Sequence, residues 1–219
     1  MLTLEFHCHS IFSKDSLTTP LKLVQAARRK GIDRLVVTDH NTIRGAIEAK
    51  KIDPELVVIG EEILTTQGEI LAAFVSEEIP AKLQPREAIR RLRDQGAFIS
   101  VSHPFDERRG WKEQDLLEII PFVDAIEVFN ARCFLSSYNQ RAAEFAHEHH
   151  LLGTTGSDAH TVRELGRAVS VLEQDFHNAE TLKAALQDAG ARTRLSSPLI
   201  HATSRFAVTV KKWGWVKSP

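Results

Sequence analysis

The chain has 219 residues, enough for one sizeable hydrophobic core and short for two full domains. Its formal net charge is −1, so it lacks the overall field that would attract duplex nucleic acid or a membrane surface. Two cysteines, Cys8 and Cys133, are too few for a disulfide framework, and no apolar run resembles a signal peptide or membrane span, so we expect a reduced, cytoplasmic protein.

Strand-like and helix-like segments alternate along most of the sequence. Short apolar runs predict strands, and apolar stripes at helical spacing predict helices. In chain order we expect strand 2–6, helix 20–31, strand 34–37, helix 42–51, strand 56–59, a hairpin of 63–66 with 69–75, helix 85–95, strand 97–101, helix 112–120, strand 125–129, helix 136–150, strand 151–155, a last strand 168–172 and helix 179–189. This order favours an α/β fold, with a parallel sheet covered by helices.

The sequence divides into two unequal parts. Residues 1–195 hold all the predicted elements and are expected to form one domain, while residues 196–219 form a polar tail with a basic end. We expect the tail to pack on the barrel, with the rings of Phe206, Trp213 and Trp215 against it or in an oligomer contact. The alternative is that these rings and nearby lysines contact single-stranded nucleic acid. The lysines are Lys211, Lys212 and Lys217.

Side chains that commonly bind metals follow one predicted strand after another. They are His7, His9, Asp39, His40, Glu61, Glu62, His103, Asn130, Asp158 and His160. Because the carboxyl ends of parallel strands lie at one end of a sheet or barrel, we expect these side chains to converge. His7 and His9 are two positions apart, so in an extended chain both rings point to one side. Imidazole and carboxylate donors without thiolate favour Mn²⁺, Fe²⁺ or Zn²⁺.

The ordered motifs resemble those of the PHP family, the polymerase and histidinol phosphatase superfamily. The matching segments are EFHCHS at residues 5–10, VTDHNT at 37–42, GEE at 60–62, SHP at 102–104 and GSDAH at 156–160. The resemblance implies a distorted seven-stranded β/α barrel with two or three divalent metal ions at its C-terminal face. It also implies hydrolysis of a phosphate ester by a water molecule that these ions activate.

The resemblance assigns residues to each ion. Carried over motif by motif, the first ion is held by His7, His9, Glu62 and Asp158, the second by Glu62, His103 and Asn130, and the third by Asp15, His40 and His160. Many relatives have a histidine where Asn130 stands, and an amide oxygen is a poorer ligand, so we expect a weak, water-rich or missing second ion. Glu62 is chosen over its neighbour because the family pattern is G-x-E, which leaves Glu61 as a surface charge.

Three further residues are candidates for roles beside the metals. We place Asp39 among the catalytic residues, as a support behind a ligand histidine; direct ligation and helix capping are the alternatives. Arg132 lies two positions past Asn130, and Arg108 lies in the loop after His103. A guanidinium at either place would bind the phosphate of a substrate.

The substrate follows from the resemblance alone. TDHNT at residues 38–42 and FNAR at 129–132 resemble PHP phosphoesterases that act on nucleotides. The implied partner is a small phosphorylated molecule, either a nucleoside 3′,5′-bisphosphate or a short single-stranded nucleic acid. A phosphatase of the histidinol-phosphate type is one alternative, and a non-catalytic metal-binding interaction module is the other. The leaving alcohol would be met by a metal or protonated by an acid such as Asp15.

Overall fold

A computed structural model describes residues 1–216 of the chain, and Lys217, grouped above with the tail lysines, lies outside them. The strands are β1 (Leu2–Glu5), β2 (Arg34–Val37), β3 (Val57–Leu64), β4 (Glu69–Ala73), β5 (Phe98–Val101), β6 (Ala125–Asn130), β7 (Leu152–Gly156), β8 (Ala168–Leu172) and β9 (Gly190–Thr193). The helices are α1 (Pro20–Arg29), α2 (Arg44–Ile52), α3 (Pro85–Asp94), α4 (Glu113–Ile119), α5 (Ser136–Glu148), α6 (Ala179–Gln187) and α7 (Ile200–Lys212). Within this range, no helix has both the length and the apolar character needed to cross a membrane.

The strands form one sheet in the order β7-β6-β5-β4-β3-β2-β1-β8-β9. β1, β2 and β3 are parallel, as are β5, β6 and β7, while β4 and β8 are antiparallel to their neighbours. The sheet curls until β7 approaches β8, where Thr155 Oγ1 and Ser170 Oγ are 3.1 Å apart. The α/β barrel class predicted from the sequence is therefore confirmed.

The number and course of the strands differ from the sequence expectation. Over residues 1–216 the sheet has nine strands rather than seven. β3 continues without a break to Leu64, so Glu61 and Glu62 lie within it, and β4 follows as the expected hairpin partner. β8 is not the last strand, because β9 pairs with it in antiparallel fashion. All four β9 residues are exposed, so this strand carries no apolar alternation by which a sequence reading could detect it.

Apolar and polar side chains divide the barrel interior between its two ends. One buried cluster combines residues of seven strands with α6, and it takes Phe98 and Ala125 from the first positions of β5 and β6. In β5 and β6, the residue at the amino-terminal end thus belongs to the apolar core. Helices α1 to α5 pack on the outer face through two further clusters. The polar side chains that the motifs supply are left at the carboxyl ends of the strands.

The tail forms a helix, α7, for which the sequence analysis predicted no element. Ala207 and Val210 are buried, and Lys211 Nζ donates to the carbonyls of Ile11 and Ser13 at 2.6 and 2.5 Å. The aromatic rings, expected to pack on the barrel or in an oligomer contact, do not pack on the barrel and are exposed. The exposed fractions are 60% for Phe206, 62% for Trp213 and 70% for Trp215. Small apolar side chains and a lysine therefore hold α7 in place.

Candidate metal centre

Two short β-bridges beyond the strand ends bring the motifs together. Cys8 pairs in parallel with Ala159, through hydrogen bonds from His9 N to Ala159 O (2.8 Å) and from Ala159 N to His7 O (3.3 Å). The segments 7–9 and 158–160 therefore run side by side, and the first and third residues of each segment face the same way. Cys8 points elsewhere, since its Sγ donates to Val36 O at 3.4 Å.

Four side chains of the first predicted ion group converge closely. His7 Nε2 lies 3.1 Å from His9 Nε2 and 3.3 Å from Glu62 Oε1. Asp158 Oδ1 is 3.7 Å from His7 Nε2 and 3.3 Å from His9 Nε2. Each of these side chains is at most 1% exposed. Two imidazoles and two carboxylates thus face one small buried space, although they come from three distant parts of the sequence.

The outer nitrogens of both imidazoles are occupied by acceptors. His7 Nδ1 is 2.9 Å from Glu127 Oε1, and His9 Nδ1 is 3.2 Å from Ser13 Oγ. The Ser13 hydroxyl donates to Asp39 Oδ1 at 2.6 Å, so its oxygen accepts from His9. In the neutral imidazoles, a hydrogen on each Nδ1 leaves a lone pair on each Nε2, directed into the shared space, as metal binding requires.

Asp39 lies behind this shell. Its Oδ1 accepts from Ser10 N at 2.7 Å as well as from Ser13, and its Oδ2 accepts from Ser10 Oγ at 2.6 Å. The residue is fully buried and acts on His9 through Ser13. Of the alternatives left open by the sequence, this geometry fits support of a histidine, and it gives Asp39 no direct contact with reacting atoms.

The second predicted group differs from the expected set. His103 Nε2 is 3.3 Å from Glu62 Oε1 and 3.3 Å from Glu69 Oε2, so Glu69 brings in a carboxylate that the sequence analysis did not name. The Asn130 amide oxygen instead accepts from Arg132 N at 2.9 Å, and its nitrogen donates to Glu127 Oε2 at 3.0 Å. Because a backbone N–H only donates, the oxygen of Asn130 is turned away from the group, and its expected role as a ligand is not what this structure shows.

The third group lies at the outer side of the centre. Asp15 Oδ2 is 3.5 Å from His40 Nε2 and 3.2 Å from His160 Nε2. His40 also reaches inward, with Nδ1 2.9 Å from Glu62 Oε2, because a second bridge pairs His40 with Glu62. His9, His40 and His160 place one ring nitrogen each within 4.8 Å of one another. The three groups are therefore continuous through Glu62 and His40.

Several buried atoms fit metal ions better than hydrogen bonds. Among residues 1–216, Asp15 Oδ1, Asp158 Oδ1 and both ring nitrogens of His103 are buried without a hydrogen-bond partner. The backbones of His103 (φ 24°) and Asp158 (φ 50°) lie in the left-handed region, which costs free energy and is concentrated at functional sites. Orphaned nitrogen and oxygen donors on strained loops are what a divalent ion would satisfy.

The carboxylates give the centre a negative potential. Burial lowers the pKa of His7, but Glu62, Glu127 and Asp158 together hold it well above its usual value. Burial raises the pKa of Glu62, and the neighbouring His7 and His40 outweigh this and hold it well below its usual range. For Asp158, the Arg109 guanidinium and His7 likewise overcome burial and lower the pKa. Such shifts mark a place that favours added positive charge.

The imidazoles farther out respond to their own surroundings. Burial and the nearby His160 and His40 lower the pKa of His9 to about 3. Burial and Arg109 oppose protonation of His103, but Glu62 and Glu69 raise its pKa to about 9. The histidines beside Asp15 hold its pKa well below the usual range despite burial, so Asp15 is a carboxylate at neutral pH and a poor choice for the general acid suggested above.

Glu61 and Glu62 have different environments although they are adjacent. Glu61 is fully buried on the opposite face of β3, so the expectation of a surface charge is wrong. Its Oε2 accepts from Ile79 N at 3.1 Å, and burial raises its pKa to about 8. Alternation along the strand turns Glu62 inward and Glu61 outward beneath the 76–82 segment. Glu61 is therefore outside the metal groups.

A cavity of about 680 Å³ opens directly onto the centre. Asp15, His40, Glu69 and His160 form its floor. Its walls include Lys14, Asp106, Arg108, Arg109, Arg132, Phe134, His201, Ser204, Arg205, Val208 and Thr209. The volume lies in the range typical of small-molecule sites. The cavity combines a floor of possible metal ligands with walls rich in cations.

The two arginines named from the sequence both line this cavity. Arg132 is buried, contacts the His160 ring through Nη1, and donates from Nη2 to Ser204 Oγ at 2.9 Å. The guanidinium of Arg108 lies 4.9 Å from the centre of the Phe134 ring. Arg109, which the sequence analysis did not name, reaches deeper than Arg108 and donates to Asp158 Oδ2 at 2.6 Å.

Three residues of the centre were missed by the sequence analysis. Glu127 offered a signal, because a charged residue inside an apolar strand is unusual and needs a buried partner. Glu69 offered none, since a glutamate after a hairpin glycine is ordinary on a surface. Arg109 is one of two adjacent arginines in a loop, and spacing does not tell which one turns inward.

Comparison with known proteins identifies a family and two relatives. The family model described as "PHP domain" matches residues 5–78, and the model described as "PHP-associated" matches residues 136–189. An uncharacterized protein of Methanocaldococcus jannaschii is 37% identical over 172 residues, covering 76% of this chain and 69% of the relative. A second uncharacterized protein of that organism is 42% identical over 123 residues, covering 53% of this chain and 69% of the relative.

Solved structures share the fold at low sequence identity. PsfC from Pseudomonas syringae superposes with a TM-score of 0.70 at 18% identity, covering 95% of this chain and 98% of that one. A candidate metal-dependent phosphoesterase from Bifidobacterium adolescentis has a TM-score of 0.62 at 19% identity, with 84% and 95% covered. A lesion-specific endonuclease from Pyrococcus furiosus has a TM-score of 0.59 at 16% identity, covering 87% of this chain and 57% of that one.

Proposed function

The chain belongs to the PHP family, and from this premise we propose that it is a hydrolase of phosphate esters that depends on divalent metal ions. One observation carries the proposal: a buried cluster of imidazoles and carboxylates opens into a cavity whose walls are cationic. A structural histidine cluster would need no such cavity. A binding site for an anion alone would not need buried carboxylates, which repel it.

We assign the ligands by the groups described above. His7, His9, Glu62 and Asp158 would hold one ion. His103, Glu69 and Glu62 would hold a second, with Glu69 in the role expected of Asn130. Asp15, His40 and His160 would hold a third. Nitrogen and oxygen donors without thiolate suit Mn²⁺, Fe²⁺ or Zn²⁺. When bound, such ions lower the pKa of water and neutralise charge on phosphate oxygens.

The protein's own groups would bind and orient the ester. Arg132 lies between the floor of the cavity and α7, so its guanidinium is placed to contact non-bridging phosphate oxygens. Arg109 balances the charge of Asp158 from the other side. Glu127 and the Ser13–Asp39 pair keep the rings of His7 and His9 in one orientation. Charge developing in the transition state is thus met by groups that are already fixed.

For the substrate we favour a nucleotide or a short single-stranded oligonucleotide. A cavity of about 680 Å³ has room for a nucleotide, and Phe134 and Val208 add apolar lining beside the cations. The structural relative from Pyrococcus furiosus is an endonuclease, which supports a nucleic-acid phosphate as the class. A histidinol-phosphate-type ester needs fewer cations than the cavity provides.

Phosphate release by the purified protein tests this function. The protein is stripped of metal, reloaded with Mn²⁺, Zn²⁺ or Fe²⁺, and supplied with nucleoside monophosphates, nucleoside 3′,5′-bisphosphates, short oligonucleotides and histidinol phosphate. We expect metal-dependent release from the nucleotide substrates. Faster release of phosphate from histidinol phosphate than from the nucleotides would show that the substrate is not a nucleotide but an ester of the histidinol-phosphate type. Absence of release from every ester, with metal bound, would favour the interaction module.

A further inference from the structure

Helix α7 forms one wall of the cavity above the metal centre. Ser204, Arg205 and Val208 line the cavity from this helix. α7 lies outside both segments that match the family descriptions, which end at residue 189. This wall is therefore not explained by the motifs that build the centre.

α7 is joined to the rest of the site at three points. Lys211 Nζ donates to the carbonyls of Ile11 and Ser13, in the segment that leads to Asp15. The His201 ring stacks on Phe134, with ring centres 4.3 Å apart and planes at 7°. Ser204 Oγ accepts from the buried Arg132 guanidinium at 2.9 Å. Contacts at both ends and in the middle fix which face of α7 borders the cavity.

The charges around this cavity do not balance. Its three carboxylates already have cationic or imidazole neighbours: Asp15 lies beside His160, Glu69 beside His103, and Asp106 beside Arg109. In contrast, Lys14, Arg108 and Arg205, which also line the cavity, make no ion pair within 4.0 Å among the described residues. These three cations come from separate loops and from α7, and they share one cavity.

We propose that Arg205 of α7, together with Lys14 and Arg108, binds a second anionic group of the substrate, apart from the phosphate at the metal centre. This inference rests on the proposed function and names a specificity determinant for it. Cleavage of one phosphate needs only the centre and Arg132. Three further cations at the same cavity would favour a substrate that carries a second negative charge there.

Kinetics of Arg205→Gln test the proposal on the metal-loaded, full-length protein. The matched control is Lys212→Gln, an exposed cation of α7 that is not among the residues lining the cavity. With a nucleoside 3′,5′-bisphosphate we expect KM to rise about tenfold in Arg205→Gln, as for the loss of one charge-assisted hydrogen bond, with kcat within about twofold. With nucleoside 5′- and 3′-monophosphates, and for the control variant with every substrate, KM should stay within about twofold of the parent protein.

Two outcomes overturn the inference. One is an equal rise in KM for bisphosphate and monophosphates, which would make Arg205 a general contributor to the cavity field. The other is no change for any substrate. The melting temperatures of both variants, measured by circular dichroism, show whether the substitution disturbs the packing of α7. A rise in KM at an unchanged melting temperature then reflects a loss of substrate binding.

Binding measurements separate this inference from the function on which it rests. Calorimetry follows the nucleoside 3′,5′-bisphosphate binding to the Mn²⁺-loaded parent protein and to Arg205→Gln. If the bisphosphate binds about tenfold more weakly to Arg205→Gln than to the parent protein, and neither protein hydrolyses it, the anion site is supported and the phosphoesterase function is refuted. If the protein hydrolyses the bisphosphate but its affinity for this substrate does not depend on Arg205, the phosphoesterase function is supported and the anion site is refuted. Absence of binding would refute the site as well.

Discussion

Residues of the metal centre form the floor of the cavity and α7 forms one of its walls, and these two regions are built differently. At the centre, side chains such as His7 and Glu62 are at most 1% exposed, and each is held by a second contact. On α7, Arg205 is exposed and makes no ion pair with a described residue. Most side chains of the centre are already held by neighbouring groups, whereas Arg205 makes no ion pair with a described residue and is available to bind an anion.

This difference predicts the size of mutational effects. Removing one member of a buried, interlocked charge cluster leaves its partners unsatisfied, so losses are large and affect both metal binding and activity. Removing one solvated cation loses a single contact, so losses are small and specific to a substrate. Variants of the centre should therefore lose metal and activity together, whereas variants of α7 should change only the affinity for substrate.

Glu62→Gln should abolish metal binding and activity together. Glu62 contacts His7, His9, His40 and His103, so its charge serves all three groups. We expect at least a thousandfold fall in turnover, comparable to the loss of an essential group in other active sites. Metal content is measured by mass spectrometry after gel filtration. Glu61→Gln, on the other face of β3, is the isosteric control and should retain its metal; equal losses in both variants would contradict the assignment.

Gly156→Ala should destabilise the centre through its backbone. A methyl group there would lie 2.3 Å from His7 Cβ and 2.5 Å from Glu127 Oε1, so the pair that orients His7 would have to separate. Overpacking and loss of this buried contact should cost about 2–4 kcal/mol of unfolding free energy, measured by urea denaturation. The control is Gly190→Ala, where the methyl would meet only Val171 at 3.9 Å. A loss of unfolding free energy below about 1 kcal/mol in Gly156→Ala would show that β7 shifts to accommodate the methyl group, and it would contradict the prediction.

Most of the centre was predictable because its signals are short-range. Spacing of two residues in strand-end motifs places His7 with His9 and Asp158 with His160, and parallel strands bring such motifs to one end. Glu69 was not predictable because it reaches His103 from an antiparallel strand, where its position depends on hairpin register. The inward turn of Arg109 depends on a loop contact with Asp158, and α7 depends on tertiary anchors such as Lys211.

The strand β9 and the role of Asn130 show the same limit. β9 is exposed and polar, so only its pairing with β8 defines it. The motif position of Asn130 was read correctly, but the direction of its amide follows from the backbone N–H of Arg132. Sequence patterns thus give the place of a residue on a strand more readily than the orientation of its side chain.

Glu69→Gln tests whether this carboxylate completes the second group. We expect the weakest-bound ion to lose at least tenfold in affinity, because the amide is a poorer ligand and His103 loses a charged neighbour. Titration of metal-free protein with Mn²⁺, followed by calorimetry, measures the number and affinity of sites. The exposed Glu77→Gln is the control. Unchanged binding in Glu69→Gln would remove Glu69 from the ligand set.

Ser204→Ala should give the smallest effect and sharpen the comparison at α7. The change removes the hydroxyl that accepts from Arg132 Nη2, while Glu164 still lies 3.4 Å from Nε. We expect KM to rise about threefold with metal content unchanged, since one hydrogen bond to a charged group that keeps another partner is lost. Thr203→Ala, one residue away on the same helix, is the control. Loss of metal in Ser204→Ala would mean that α7 belongs to the centre.

Hydrolysis in ¹⁸O-labelled water tests whether metal-dependent attack of water on phosphorus releases the phosphate. The Mn²⁺-loaded protein is incubated with the best nucleotide substrate, and both products are analysed by mass spectrometry. The account predicts that the released phosphate gains one ¹⁸O atom, that the alcohol gains none, and that chelation of the metal stops the release. Label in the alcohol, or release that continues without metal, would contradict it.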